Sequence, residues 1–460
     1  MSFQAKTIIE PFRVKTIESI KMTTEEDRKR LLKEVGLNVF LLNSQDVLID
    51  LLTDSGTNAM SVQQWAALIQ GDESYAGSPS YQHFYESVHK LTGHVEVIPT
   101  HQGRASERIL FQSCAKPGTK IVSNMLFDTT RANAEHMGCE VVDIPCKEIA
   151  FPREATPFKG NIDLEKLETV LSQKGSEVSM VLMTLTNNSG GGQPASMANI
   201  RAAHDLAKKH GIYFVIDGCR FAENAYFIKT REEGYADKSP AEITKEFFAL
   251  ADMISISAKK DGIANIGGIL TLKDSELAKE CRNNLILTEG FPTYGGLAGR
   301  DLEAIAVGLW EALDPHYLEY RIKSTQYVGK GLVEAGVPIV QPTGGHAIYI
   351  DAKEYLSHIP QSQYPGQALV SALYEFSGIR AVEVGSVMFG RVQKDGSEIP
   401  HSQELVRLAI PRRVYTQSHM DYVVEAFTAF TKEKESVCGV RFVNKPQVLR
   451  HFTATFEWCG

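Results

Sequence analysis

The stretch VSMVLMTLTNNSGGGQPASMANIRAAHDLAKKHGIYFVID, Val178 to Asp217, decides the fold class. Its first nine residues, VSMVLMTLT, form an apolar, β-branched run of strand length, and NNSGGGQPAS follows as a turn. MANIRAAHDLAKKHG then has helical spacing, with Ser196 as N-cap and Gly211 past the last turn. IYFVID, Ile212 to Asp217, is a second apolar strand. Two short buried strands joined by a helix predict a parallel βαβ unit covered on both faces. MISISA (Met253 to Ala258) and GGILTLK (Gly267 to Lys273) continue the strand pattern.

Outward from this unit, the chain has 460 residues, enough for a large α/β domain and a smaller companion. From about Asp301 the pattern changes to long helical stretches and then to alternating segments such as HAIYIDA and LVRLAIP, which predict a smaller α+β domain. The expected division is 57–305 for the large domain, with 1–56 and 306–460 forming the small one. A formal charge of -8 with interspersed signs argues against nucleic acid and against a polybasic membrane arm. Seven cysteines without a CxxC pair fit a reducing cytoplasm better than a secreted disulfide framework. The first residues lack an apolar signal core, and no run approaches the ~18 apolar residues of a membrane span, so the expectation is a soluble cytoplasmic protein.

Ligands of open α/β sheets bind beyond the carboxyl ends of the strands, where Asn188, Asp217 and Lys260 fall. Asp217 with Arg220 in VIDGCRFAEN could be a structural ion pair alone. Lys260 at another strand end adds a chemical meaning. A Schiff-base lysine must reach its neutral form, which burial and neighbouring cations favour. Pyridoxal phosphate needs that lysine and a carboxylate to keep its ring nitrogen protonated, and Lys260 and Asp217 are the candidates. Lys259 would neutralise the phosphate. PTHQGRASERI adds Gly103, which permits close backbone approach, and a helix start able to hold an anion. Phe127 could stack on a ring, although a single aromatic is more often core packing. No Walker motif, HExxH or cysteine cluster is present.

LLTDSGTNAMS, GDESYAGS, PTHQGR, GGQPASMAN, RFAENAYFIK, SAKKD, EGFPTYGGLAGRD, GGHA and IPRRVYT occur in this order along nearly the whole chain. Together they resemble the β-eliminating lyases that cleave aromatic amino acids. The resemblance implies an α/β architecture of pyridoxal-phosphate fold type I, aspartate aminotransferase-like, with a mainly parallel sheet in the large domain. It implies that Lys260 binds the cofactor and removes the Cα proton, that Asp217 faces the ring nitrogen, and that Arg220 and Asn188 lie near the ring oxygen. Gln102, Gly103, Ser257 and Lys259 match phosphate-binding positions, Arg104 is a further cofactor-binding residue, and Phe127 matches the stacking ring. Arg412 would hold the substrate carboxylate with Thr53, Ser55 and Asn188, a role suited to a planar guanidinium. Tyr75 matches the general acid that protonates the leaving ring. Tyr294 matches a residue contributed across a subunit interface of a homotetramer, a dimer of dimers. Gly56, Glu73 and Asn265 match a site for K+ or NH4+; a polar cluster without an ion is the alternative.

Three positions separate tryptophan from tyrosine cleavage within the resemblance. Val384 stands where the tyrosine-cleaving enzymes carry an arginine, Asp128 where they have threonine, and His451, next to Phe452 in the expected substrate pocket, where they have phenylalanine. The expected reaction is therefore hydrolysis of L-tryptophan to indole, pyruvate and ammonia. Tyrosine cleavage is the alternative, and a silent amino-acid-binding member is remote because Lys260 and Asp217 are both present. Ala105, Gly218 and Cys219 depart from the family pattern and bear on fine specificity.

Overall fold

The structure is a computed structural model that describes residues 7–392, 397–447 and 449–460. It divides into two compact units: residues 55–151 with 156–322, and residues up to Asp54 with 152–155 and 323–460. The sequence reading parts the chain at 56/57 and 305/306.

In the larger unit the strands are β1 (Glu96–Thr100), β2 (Lys120–Ser123), β3 (Glu140–Asp143), β4 (Val178–Thr184), β5 (Tyr213–Asp217), β6 (Met253–Ser257) and β7 (Gly268–Leu272). They form one sheet in the order β1-β7-β6-β5-β4-β2-β3. Alternation along these strands fills two cores, one on each face. Val181, Met183, Phe214, Ile216, Ile254 and Ile256 enter one, and Met180, Leu182, Val215, Met253, Leu270 and Leu272 the other. This period-two division is what a sheet covered on both faces requires. The helix between β4 and β5, Met197–Lys209, starts at Ser196, whose side chain accepts the Asn199 N–H, and Gly211 follows its end at φ +68°.

All neighbouring pairs from β3 through β2, β4 and β5 to β6 are parallel, whereas β7 runs antiparallel to both β6 and β1. The connection from Ser257 to Gly268 is too short for a helical crossover, so the chain must turn back on itself. That tight return carries Lys259 and Lys260.

In the smaller unit β8 (Ala347–Asp351), β9 (Val382–Val384) and β10 (Leu405–Ala409) form an antiparallel sheet with β10 in the middle. Both segments read as alternating in the sequence, HAIYIDA and LVRLAIP, are strands of it. The helix Pro365–Ser377 packs into the same core through Leu369, Val370 and Leu373, together with Leu32, Val39 and Ile49 from the start of the chain.

Candidate active site

Three chain reversals converge at the carboxyl ends of β5 and β6. Asp217, the last residue of β5, is buried, and its Oδ1 accepts the Cys219 N–H at 3.1 Å. Cys219 Sγ in turn accepts the N–H of Ser257, the last residue of β6, at 3.1 Å. Beyond Ser257, the Lys260 N–H returns to the Ser257 carbonyl at 3.2 Å, closing the turn that holds both lysines. The Lys259 carbonyl accepts the Gly56 N–H at 2.7 Å and the Asn58 side-chain N–H at 2.8 Å, which fixes its backbone.

The third reversal joins β1 to the helix α1 (Gly103–Cys114). Gln102 occupies the N-cap without a side-chain cap bond, so the first turn of α1 keeps backbone N–H groups for a ligand. A Cβ at Gly103 would lie 2.7 Å from the Ser257 Cβ, so only glycine lets α1 start this close to the end of β6. The electrostatics match. Burial, then the charges of Lys260 and Arg104, lower the pKa of Lys259 below the ordinary lysine value. Three cations and a helix start concentrate positive potential where a phosphate group would be held.

The structure adds a group that the sequence reading missed. Glu107, one turn along α1 from Gly103, is buried; its Oε1 accepts the Thr130 hydroxyl at 2.8 Å, while Oε2 has no hydrogen-bond partner among the described residues. Burial, then the negative charge of Asp217, pushes the Glu107 carboxyl up to about 7. The signal in the sequence was a carboxylate at i+4 from the glycine of an anion-binding helix start.

Asp128 and Phe127 open the helix Asp128–His136, with Phe127 at its N-cap and Asp128 buried, its Oδ1 accepting the Thr129 N–H at 2.6 Å. Asn188 is buried in the turn after β4, and the carbonyl of the buried Arg220 accepts the Thr186 hydroxyl at 3.2 Å. Tyr75 is different: it is 68 % exposed and packs its ring 5.3 Å from Tyr294 and 5.4 Å from Phe291. Its hydrogen bond with Tyr294, then the Tyr294 charge, raises its pKa above the ordinary tyrosine value.

Of the expected cation ligands, Gly56 and Asn265 are neighbours, with the Asn265 Nδ2 donating to the Gly56 carbonyl at 3.0 Å. Glu73 instead meets Arg300, Oε1 to NH2 at 3.0 Å, on the surface. Among the described residues no group of three His, Cys, Asp or Glu side chains could hold a metal ion.

In the smaller unit, Arg412 is buried and donates from NH1 to Asp54 Oδ2 at 3.0 Å and to the Asp54 carbonyl at 3.1 Å, next to Thr53. Arg413 adopts φ +63°. Val384, at the end of β9 opposite Leu405, lies in an apolar cluster with Val340, Tyr349 and Leu405 against which Phe40 packs. Phe40 also meets His451 and Phe452, with ring centroids 5.7 and 5.1 Å away. Phe40 thus joins the cluster that holds Val384 to the adjacent pair His451 and Phe452, far from it in sequence.

The profile of the β-eliminating lyases matches residues 50–426. The chain belongs to that family. It is 59 % identical over 448 residues to the tryptophanase of Salinibacter ruber, covering 97 % of this chain and 95 % of that one. Identity to the tyrosine phenol-lyase of Symbiobacterium thermophilum is 48 % over 449 residues, covering 97 % and 98 %. Among solved structures, the serine palmitoyltransferase of Sphingomonas wittichii superposes with a TM-score of 0.60 at 13 % identity, covering 90 % of this chain and 97 % of that one. This likeness shows the fold, the α/β fold type I expected from the sequence.

Proposed function

We propose that this β-eliminating lyase uses pyridoxal phosphate to cleave L-tryptophan with water into indole, pyruvate and ammonia. The cofactor half of the reading rests on the anion-binding start of α1 beside Lys259, Lys260 and Arg104, with the buried Asp217 carboxylate at the next strand end. When bound, the cofactor draws electron density from the substrate α-carbon. Lys260 supplies the amine that anchors it and then accepts the Cα proton. Asp217 keeps the ring nitrogen protonated, and Lys259, Arg104 and the α1 amides balance the phosphate. Arg412 is the residue proposed for the substrate carboxylate, with Thr53, Ser55 and Asn188. Tyr75 delivers a proton to the leaving ring, a tyrosine hydroxyl being protonated at neutral pH.

The observation that carries the choice of tryptophan is Val384. It is buried among apolar side chains, where the tyrosine-cleaving branch is expected to carry an arginine for the phenol oxygen. A pocket built around a hydrogen-bonded oxygen rejects other ligands strongly, whereas an apolar wall accepts indole. Asp128 and His451 are the candidates for partnering the indole ring.

Assembly as a homotetramer, a K+ or NH4+ ion near Gly56, Asn265 and Glu73, and a cytoplasmic location complete the reading. The ion is supported by the adjacency of Gly56 and Asn265, and the assembly by the exposure of the Tyr75 ring beside Tyr294. No helix among the described residues is long and apolar enough to cross a membrane. The test is product analysis after incubation with tryptophan and, separately, tyrosine: indole and pyruvate are expected from the first and little phenol from the second. Phenol formed faster than indole would replace this reading by tyrosine cleavage.

A further inference from the structure

In the larger unit the segment GDESYAGS, Gly71 to Ser78, joins the helix Val62–Gln70 to the helix Pro79–Thr92 and carries Tyr75, to which the proposed function gives the proton for the leaving ring. A side chain that hands over a proton must be held in one place. A connecting segment with glycine at 71 and 77 and serine at 74 and 78 does not order itself, so specific contacts must do so.

One carboxylate supplies most of them. Asp72 Oδ1 accepts the Ser78 hydroxyl at 2.8 Å and the Ser80 N–H at 2.9 Å, while Oδ2 accepts the Ser74 N–H at 2.9 Å. The Asp72 N–H is donated to the Ser80 hydroxyl oxygen at 3.1 Å. The start of the segment is thereby tied to its middle and to the first turn of the following helix. Ser78 is also the N-cap of that helix: its oxygen accepts the Tyr81 N–H at 3.1 Å while its hydrogen goes to Asp72.

The base and the tip of the segment are seated separately. A Cβ at Gly71 would lie 2.4 Å from the Arg300 Cα, and one at Gly299 would lie 2.0 Å from the Asp72 carbonyl oxygen, so the two backbones touch at Asp72. At the tip the Tyr75 carbonyl accepts the Thr293 hydroxyl at 3.3 Å, and the Tyr75 ring lies against Phe291 and Tyr294. Asp72 is the link between these two supports.

The link needs a carboxylate. Burial works against the charge, but the hydrogen bonds from Ser80, Ser74 and Ser78 outweigh it and hold the Asp72 carboxyl far below the usual carboxylate range. Both oxygens face a backbone N–H, Oδ1 that of Ser80 and Oδ2 that of Ser74. An asparagine in this place would turn its own NH2 toward one of those N–H groups whichever way it is flipped. The isosteric change therefore breaks the link without adding bulk.

We propose that Asp72 is a positioning residue that folds Gly71–Ser78 around its carboxylate and so holds the Tyr75 hydroxyl where the leaving ring takes its proton. The proposal rests on the reading of Tyr75 as the proton donor, and Asp72 acts through Tyr75 alone.

The experiment measures pyruvate release by the cofactor-loaded enzyme from L-tryptophan, whose ring needs a proton to leave, and from β-chloro-L-alanine, whose chloride departs with its electron pair and needs none. In Asp72→Asn the kcat for tryptophan should fall at least about tenfold, part of the contribution of a general acid, while that for β-chloro-L-alanine stays within about twofold of the wild type. Equal falls with both substrates, or no fall with tryptophan, overturn the proposal. Ser78→Ala, which takes one hydrogen bond from the carboxylate, replaces Asp72→Asn if that variant does not fold. Tyr75→Phe, measured alongside, should show the same split between substrates. If it does not, or if the wild type forms no indole, the functional reading has failed, and amide hydrogen exchange decides the part of Asp72 by itself. Faster exchange across residues 73–80 in Asp72→Asn then supports the anchoring, and unchanged exchange overturns it.

Discussion

Ser257 leaves no room for a side chain at residue 103: a Cβ there would sit 2.7 Å from the Ser257 Cβ and 3.0 Å from its Cα. The contact is with a strand end rather than the tip of a flexible side chain, so Gly103→Ala must shift α1 away from β6. Overpacking of this kind costs about 1 to 3 kcal/mol. The same shift moves the helix start away from the lysine turn. Titration of Gly103→Ala with pyridoxal phosphate should show at least about tenfold weaker binding, with a lower Tm. Unchanged cofactor affinity would place the phosphate elsewhere.

Adjacent lysines should separate cleanly. Lys260→Ala removes the amine proposed to anchor the cofactor and to take the Cα proton; turnover should fall at least ~100-fold, the scale of losing a general base. The visible absorbance of the purified protein should disappear. Lys259→Gln removes one of the cations at the start of α1, so cofactor affinity should fall about tenfold while absorbance at saturating cofactor is retained. Full activity in Lys260→Ala would remove the mechanism.

His94 gives the larger unit an acid-sensitive point outside the site. Its Nε2 lies 3.1 Å from the Ala251 carbonyl and so must carry hydrogen, which leaves Nδ1 to accept the Thr271 hydroxyl at 2.9 Å. Burial first, then the Lys273 charge, lowers its pKa to about 4 from an unfolded value of 6.5. The unfolded chain therefore binds the proton first. The stabilisation is complete above pH 6.5 and is lost as pH falls toward 4, amounting to about 3 kcal/mol. Denaturant unfolding of His94→Gln should show a shallower loss over this window than the wild type; parallel curves would contradict the assignment.

How much was legible in the sequence depended on how local the cause was. β4, its following helix and β5 are set by their own periodicity and by the Ser196 cap, so the βαβ unit could be read from forty contiguous residues. The antiparallel return of β7 was not read, because a period-two pattern carries no direction; only the short link from Ser257 to Gly268 implies it. Glu107 was passed over because its neighbour Asp217 is 110 positions away in the chain. Glu383 and Glu404, both buried, were hidden for a similar reason: each is one carboxylate in an unremarkable segment until the fold brings both against Gly385, where a Cβ would lie 2.7 and 2.6 Å from their oxygens. Glu73 shows the reverse case. Its proposed part in a cation site came only with the family resemblance: on the surface, beside Arg300, nothing local distinguishes it from an ordinary exposed carboxylate.

Val384→Arg tests substrate choice most directly. The wild-type side chain is buried at the end of β9 among Val340, Tyr349 and Leu405, and Phe40 ties this cluster to His451 and Phe452. A guanidinium placed there displaces apolar contacts and must find a partner or water, so the variant should be less stable and its kcat/KM for tryptophan should fall at least tenfold. Tyrosine cleavage is not expected to appear in exchange, because Asp128 and His451 remain in place and a phenol oxygen needs a complete hydrogen-bonding site. An apolar wall alone discriminates by about 1 to 3 kcal/mol per methylene-sized change, too little to convert one lyase into the other. Indole and phenol should be measured for both proteins with both substrates. A Val384→Arg enzyme that kept wild-type tryptophan kinetics would show that residue 384 does not contact the ring, and the assignment of the aromatic pocket to Val384 and His451 would have to be abandoned.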